Sequence, residues 1–131
     1  MKQELKRNDL IYPELSFQIV GVLFSVFRQL GSGYQERYYQ RALGLELEEQ
    51  GLKFQEQVPI PVNYRGNKIG NYFLDFLIEN KVVLEIKKEK NFSRKNIEQV
   101  YAYLRSSGLK LGIIANFTKE GVRFKRILNI K

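Results

Sequence analysis

The side chains best suited to chemistry in this 131-residue chain are Asp75, Glu85 and Lys87, all carried by the stretch 72–88, YFLDFLIENKVVLEIKK. Two apolar runs flank a short polar break, and the acids lie inside the runs. Strand alternation sets Phe73, Asp75 and Leu77 on one face of the first run, and Val83, Glu85 and Lys87 on one face of the second. If Glu79-Asn80-Lys81 forms a three-residue hairpin loop, Asp75 falls opposite Glu85; a two-residue loop would set it against Ile86. The three-residue loop is the expected register. Two carboxylates held roughly 5 Å apart in a half-buried hairpin repel, and each takes up a proton unless a cation sits between them. A divalent metal is the natural cation. Lys87, about 7 Å along the same face from Glu85, would steer a phosphate or orient an attacking water. The competing reading is an ordinary strand in which Asp75 and Lys87 form a salt bridge at a sheet edge.

Composition narrows the chemistry further. The chain has no cysteine and no histidine. Thiol nucleophiles, thiolate zinc sites, Ser-His-Asp triads and His-based metal sites are therefore excluded, and carboxylates, Lys and Tyr remain. The length and the 44% hydrophobic fraction suit one globular domain. The net charge of +8 is uneven: residues 81–131 hold 13 Lys/Arg and 4 Asp/Glu, against 9 and 10 in residues 1–80. A basic half of this kind fits a polyanionic partner, nucleic acid being the commonest soluble one, or else a solubilising surface. The apolar stretch from Ile19 to Phe27 behind Lys2, Lys6 and Arg7 imitates a secretory leader. Glu4, Asp9 and Glu14 interrupt the basic region, however, no small-residue cleavage site follows, and the stretch is too short to span a bilayer. A cytoplasmic protein with no membrane association is the expectation.

The elements that must position the three side chains read in order. Residues 1–13 form a polar amino-terminal arm and residues 14–131 a single domain. A helix starts at Pro13-Glu14 and runs to about Leu30, apolar nearly all round, so it is buried by the core on one side and by a second copy or another protein on the other. Gly31-Ser32-Gly33 breaks the chain, and a second helix runs from about Tyr34 to Gln50. Glu36 lies on the stripe continued by Tyr39, Leu43 and Leu47, so it faces the core side, where it either pairs with a Lys or Arg or supplies a third carboxylate to the same metal. A strand over 53–64 carries Pro59 and Pro61, which suit an edge position. Arg65-Gly66-Asn67-Lys68 turns into the central hairpin, completing a three-stranded antiparallel meander. Asn91 or Ser93 caps a helix that reaches Ser107, with Ile97, Val100, Tyr101 and Leu104 on its apolar face. Lys95, Gln99 and Tyr103 form a second row, suited either to a nucleic-acid backbone or to solvent. Residues 111–116 are an all-apolar strand, which after a helical crossover implies parallel pairing inside a sheet. Residues 121–128 form a last amphipathic strand with Val122, Phe124 and Ile127 on one face and Arg123 and Lys125 on the other.

This order, with Asp75 on the second strand and Glu85-Ile86-Lys87 on the third, resembles the PD-(D/E)XK nuclease superfamily, whose fold is the restriction-endonuclease-like αα-βββ-α-β(β) core: an α/β domain with a mixed sheet of four to five strands flanked by helices. Within it the chain is similar to the small bacterial and archaeal GxxExxY proteins, whose motif appears as Gly33-Tyr-Gln-Glu36-Arg-Tyr-Tyr39. Gln99-Val-Tyr-Ala-Tyr103 is similar to the QxxxY motif of the RecB-like branch. The resemblance spans about residues 14–128. It implies a magnesium-dependent endo- or exonuclease, with Mn²⁺ as a substitute. Asp75 and Glu85 would bind the metal, Glu36 would assist from the helix, and Lys87 would position water and stabilise charge on the phosphorane. Gln99, Tyr103, Tyr39, Lys95 and Lys88 would support the site or touch a substrate that is DNA rather than RNA. Leu74 stands where the superfamily name has Pro. The same fold also serves inactive modules that bind nucleic acid or join complexes, and a protein-binding adaptor acting through the first helix is a further alternative.

Overall fold

The computed structural model describes residues 11–130. In chain order these form α1 (Pro13–Leu30), α2 (Glu36–Glu49), β1 (Phe54–Tyr64), β2 (Asn67–Ile78), β3 (Val82–Lys87), α3 (Arg94–Ser107), β4 (Leu111–Thr118) and β5 (Gly121–Leu128). The fold is the expected α/β arrangement, a five-stranded mixed sheet in the order β1-β2-β3-β4-β5. Only β3 and β4 pair in parallel. The crossover through α3 requires this, and every residue of β4 is buried, since the strand has neighbours on both edges and both faces.

Local chemistry sets most boundaries. Pro13 opens α1, where its missing N–H costs no hydrogen bond. The Ser93 hydroxyl caps α3 by accepting from the Asn96 N–H at 3.3 Å, and Gly108, at φ 80°, closes it. Arg65 and Gly66 both take positive φ, the requirement of a two-residue hairpin turn matching the sheet twist. That turn is shorter than the four residues expected, because Asn67 and Lys68 already pair within the ribbon. The expected arm over 1–13 lies outside the described residues up to position 10. Beyond it, Ile11 and Tyr12 already pack against the core and Pro13 is helical, since two apolar side chains gain more from burial than from solvent.

The sheet buries apolar side chains on both faces. Leu23, Leu43, Leu47, Phe76, Leu84 and Ile113 belong to the layer beneath α1 and α2. Leu74, Val83, Val100, Leu104, Ile114 and Ile127 form the layer beneath α3. A Cβ on Gly112 would meet Val100 Cγ1 at 2.6 Å, so α3 lies directly on β4 and its position along the sheet is set by that contact. Two expectations are corrected. Ile127 belongs to the α3 layer while Val122 and Phe124 face α1 and α2, because single alternation puts odd and even positions of β5 on opposite faces. On α1 the core covers one side, and Phe17, 78% exposed, and Phe24, 42% exposed, lie on the side expected to meet a second copy or another protein. Strict alternation also breaks in β2 at Asp75, where Tyr72 and Leu74 pack on the α3 side but Phe76 and Ile78 on the other. Gln57, which lies across from Asp75 on β1, takes φ 51° at the same level. Among the described residues, no helix is long and apolar enough to cross a membrane.

Candidate active site

The loop Glu79-Asn80-Lys81 has three residues, and β2 and β3 pair as Phe76↔Leu84, Leu77↔Val83 and Ile78↔Val82, a register whose next step would set Asp75 against Glu85. The ladder between β2 and β3 stops at Phe76↔Leu84, and from there the carboxylates replace it. Asp75 N–H donates to Glu85 Oε1 at 2.7 Å, and Ile86 N–H donates to Asp75 Oδ2 at 2.8 Å. Each acid thus satisfies a backbone donor that the parting strands would leave bare. The second oxygens are held as well. Gln40 Nε2, from α2, donates to Asp75 Oδ1 at 3.0 Å, and the Tyr72 hydroxyl donates to Glu85 Oε2. Both strands are interior to the sheet, and Gln40 and Ile86 take the Asp75 oxygens, so the edge salt bridge to Lys87 is not the arrangement.

Burial makes this pair reactive. Asp75 is 9% and Glu85 2% exposed. Desolvation, reinforced by the Glu85 charge, pushes Asp75 up to about 7 from 3.8, against the opposing pull of the Ile86 N–H and of Lys87. Glu85 is raised too, chiefly by burial, with Tyr72, the Asp75 N–H and Lys87 working against the shift. The Tyr72 hydroxyl is driven well above the usual phenol range by burial and by its bond to Glu85, so it remains a donor. Lys87 follows Glu85 on β3 by two residues and lowers both acids. The ammonium therefore stands within electrostatic reach of both carboxylates.

Glu36 sits at the amino-terminal end of α2 and accepts from the Lys88 N–H at 3.0 Å, which ties the helix to the end of β3. Its charge raises both acids, so it faces the same space. Among the described residues, no three His, Cys, Asp or Glu side chains converge as a ready metal cage. The donor set nonetheless suits a hard cation: Mg²⁺ or Mn²⁺ binds one or two carboxylates and completes its shell with water and phosphate, and each carboxylate oxygen keeps a free lone pair. The Asp75–Glu85 pair meets that requirement by itself, with Glu36 one step outside.

The remaining expected residues divide. Lys88 is exposed and, with Lys90, Lys119, Ser32 and Gly33, lines a cleft of about 370 Å³ beside Glu36. Gln99 and Tyr103 are half-buried and Lys95 is exposed on α3, on the same side of the sheet as Tyr72. Neither Gln99 nor Tyr103 supplies a hydrogen bond to Asp75 or Glu85. Tyr39 is a correction: at 1% exposure it cannot touch a substrate. Its ring stacks on Phe117 at 4.2 Å and its hydroxyl donates to the Gly31 carbonyl at 2.6 Å, so it fixes the bend between α1 and α2.

Gln40, Tyr72 and Asn116 are the residues that sequence reasoning missed. Gln40 had a signal, its place one turn beyond Glu36. Tyr72 had only its nearness to Asp75. Asn116 lies within the buried strand β4, pairs in register with Lys87 and Arg123, and is 1% exposed with neither side-chain polar atom partnered among the described residues. A buried amide without partners is costly. Asn116→Leu, close in shape, is expected to stabilise the protein by about 1 kcal/mol, measured by chemical denaturation. A lower midpoint would mean that the amide has a partner.

Residues 13–127 match the profile of the PD-(D/E)XK nuclease superfamily. The chain belongs to that superfamily. Two solved structures are similar to this PD-(D/E)XK chain. The crystal structure of SSO0001 is 17% identical with a TM-score of 0.55 over 95% of this chain and 61% of that one. An alkaline exonuclease, LHK-Exo from Laribacter hongkongensis, is 12% identical with a TM-score of 0.50, over 99% of this chain and 73% of that one. At such identities the likeness is one of fold, and the chain spans about three fifths of the SSO0001 chain. No curated protein matches. In PD-(D/E)XK terms, the fork between β2 and β3 is the part of the fold that brings the acids and Lys87 together.

Proposed function

We propose that this protein is a divalent-metal-dependent nuclease that hydrolyses phosphodiester bonds of DNA. The observation that carries the proposal is the buried Asp75–Glu85 pair at the fork of β2 and β3, with Lys87 beside it. Nucleases of this superfamily generally depend on divalent metal ions. Two desolvated acids that hold each other's strand rather than a basic side chain are poised to exchange protons for a cation.

Asp75 and Glu85 would hold the metal, with Glu36 assisting from the start of α2. The cation, Mg²⁺ or Mn²⁺, would supply Lewis-acid polarisation of the scissile phosphate and an acidified water. The chain's own residues do the rest. Gln40 and Tyr72 keep the two carboxylates in their rotamers. Lys87 directs its ammonium at the attacking water and at the charge developing on the phosphate oxygens. Lys88, with its neighbours in the basic cleft, takes the phosphates on one side, and Lys95, Gln99 and Tyr103 approach the strand from α3. The signatures Gly33-Tyr-Gln-Glu36-Arg-Tyr-Tyr39 and Gln99-Val-Tyr-Ala-Tyr103 support a place among GxxExxY proteins of the RecB-like branch. The absence of cysteine agrees with work in the cytoplasm.

The test is cleavage of labelled single-stranded, duplex and branched DNA with and without Mg²⁺, using wild type, Asp75→Ala and Glu85→Ala. Metal-dependent cleavage lost in both variants while DNA binding persists supports the assignment. Cleavage that survives both changes would sink it. Binding should also weaken about 10³-fold or more between 50 and 200 mM salt if six or more phosphates are neutralised. Salt-insensitive binding would remove the basic half from the interface. A second reading, an inactive module that binds nucleic acid or joins a complex, keeps the salt dependence without cleavage; the exposed Phe17 and Phe24 on α1 favour a protein contact there, with a second copy as one candidate.

A further inference from the structure

β1 and β2 pair along residues 54–64 and 67–78, but β3 pairs with only the last three residues of β2. Residues 58–73 therefore form a two-stranded arm beyond the carboxylate site, one face of which (Val58, Ile60, Tyr72) packs on the α3 layer while the other is open. At its base Tyr72 donates to Glu85. Phe73, the next residue, points the opposite way and is 48% exposed. On its face lie Pro59, directly across, and Asn71 opposite Pro61; Ile69, 66% exposed, is the unpaired residue of a bulge nearer the tip. The tip carries Tyr64, 58% exposed, with the Arg65 guanidinium 5.3 Å from its ring centroid. Residues 58–73 contain Arg65 and Lys68 and no acid.

Two-stranded ribbons are marginal in water, and apolar side chains gathered on one are a contact surface. Charge says what it contacts. An arm that is cationic and aromatic, with no carboxylate, complements a polyanion whose units carry flat apolar faces. A second copy is disfavoured, because pairing arm to arm would set Arg65 and Lys68 against themselves. Duplex DNA hides its base faces, while unpaired nucleotides offer one at every step. The arm also starts where the acids sit and extends about 23 Å from Asp75 to Lys68, so a strand lying along it leads directly to the fork.

We propose that the Phe73 face of this arm binds unpaired nucleotides of the substrate, a base stacking on Phe73 and phosphates meeting Arg65 and Lys68 toward the tip. The site is thereby supplied with single-stranded or frayed nucleic acid in preference to intact duplex. This rests on the nuclease reading for its purpose, yet it is measurable without cleavage.

The chain has no tryptophan, so Phe73→Trp installs a single indole on the exposed face. With EDTA present, an oligothymidylate single strand is expected to quench that indole, and a duplex of equal length is not. In fluorescence anisotropy, Phe73→Ala is expected to raise Kd for the single strand about tenfold and to leave duplex binding unchanged. Arg65→Glu combined with Lys68→Glu should weaken the single strand further. Thermal melting checks that each variant is folded, and Phe73→Trp retains the stacking surface if Phe73→Ala does not fold. An unquenched indole, equal losses on single strand and duplex, or wild type that binds no single strand would overturn the proposal. So would a concentration-dependent dimer abolished by Phe73→Ala, which would make the arm an interface between copies. If Mg²⁺ then gives no cleavage although the indole is quenched, the nuclease reading fails and the arm's binding role stands.

Discussion

Glu85→Gln is expected to abolish cleavage and to make the metal-free protein more stable at pH 8. The two effects have one cause. In the wild type, Glu85 and Asp75 share a desolvated fork: burial raises both, and charge adds to it, Glu85 on Asp75 and Glu36 on each. Glutamine preserves the geometry: its Oε1 still accepts from the Asp75 N–H, and its Nε2 donates to the Tyr72 hydroxyl, which rotates to accept. A buried charge is removed, and with it the Glu85 contribution that raises Asp75, so a gain of roughly 1–3 kcal/mol is expected. Catalysis loses a carboxylate from a set of two. A fall of about 10³-fold or more in kcat/KM is the scale set by several kcal/mol of metal-assisted stabilisation. Denaturation at pH 8 in EDTA, run beside single-turnover cleavage in Mg²⁺, reads both. A variant that is less stable and still cleaves would dismantle the proposed site.

The second large effect concerns pH and metal together. Asp75 is raised from 3.8 to about 7 in the folded protein, mainly by burial and then by Glu85. Between those values the native state binds a proton that the unfolded state has released. Its stabilising contribution is complete below pH 4 and is lost as pH rises through about 7. Metal-free protein is therefore expected to have a higher denaturation midpoint at pH 5 than at pH 8. Mg²⁺ or Mn²⁺ should reverse the deficit at pH 8, by about 2.7 kcal/mol at 100 times its Kd, and do little at pH 5, where protons occupy the ligands. Cleavage should rise with pH over the same window. In Glu85→Gln the slope of stability against pH should flatten. A metal-free midpoint that does not fall from pH 5 to 8, with no response to either cation, would mean that the acids are not a metal site.

Local spacing in the chain determined a good deal. Three polar residues between two apolar runs set the loop and with it the register Phe76↔Leu84, which carries Asp75 and Glu85 to the same level, where each accepts from the other strand. Gly108 marked the end of α3, Ser93 was one of two caps that the sequence offered beside Asn91, and the apolar run 111–115 announced a strand inside the sheet. These features depend on neighbours a few residues apart, whose relative directions the backbone fixes wherever the segment lies. Only the tertiary structure decided the rest. Gln40 reaches Asp75 across 35 positions, Lys88 meets Glu36 across 52, and Arg126 donates to Ser16 across 110. Tyr39 reads as a motif tyrosine beside Glu36, yet Phe117 stacks on it and closes it to solvent. The break of alternation at Asp75 and the length of β2 left without β3 likewise depend on where β3 parts from β2 to follow β4. Such contacts are chosen by how separate elements fill shared space, and no spacing within one element encodes them.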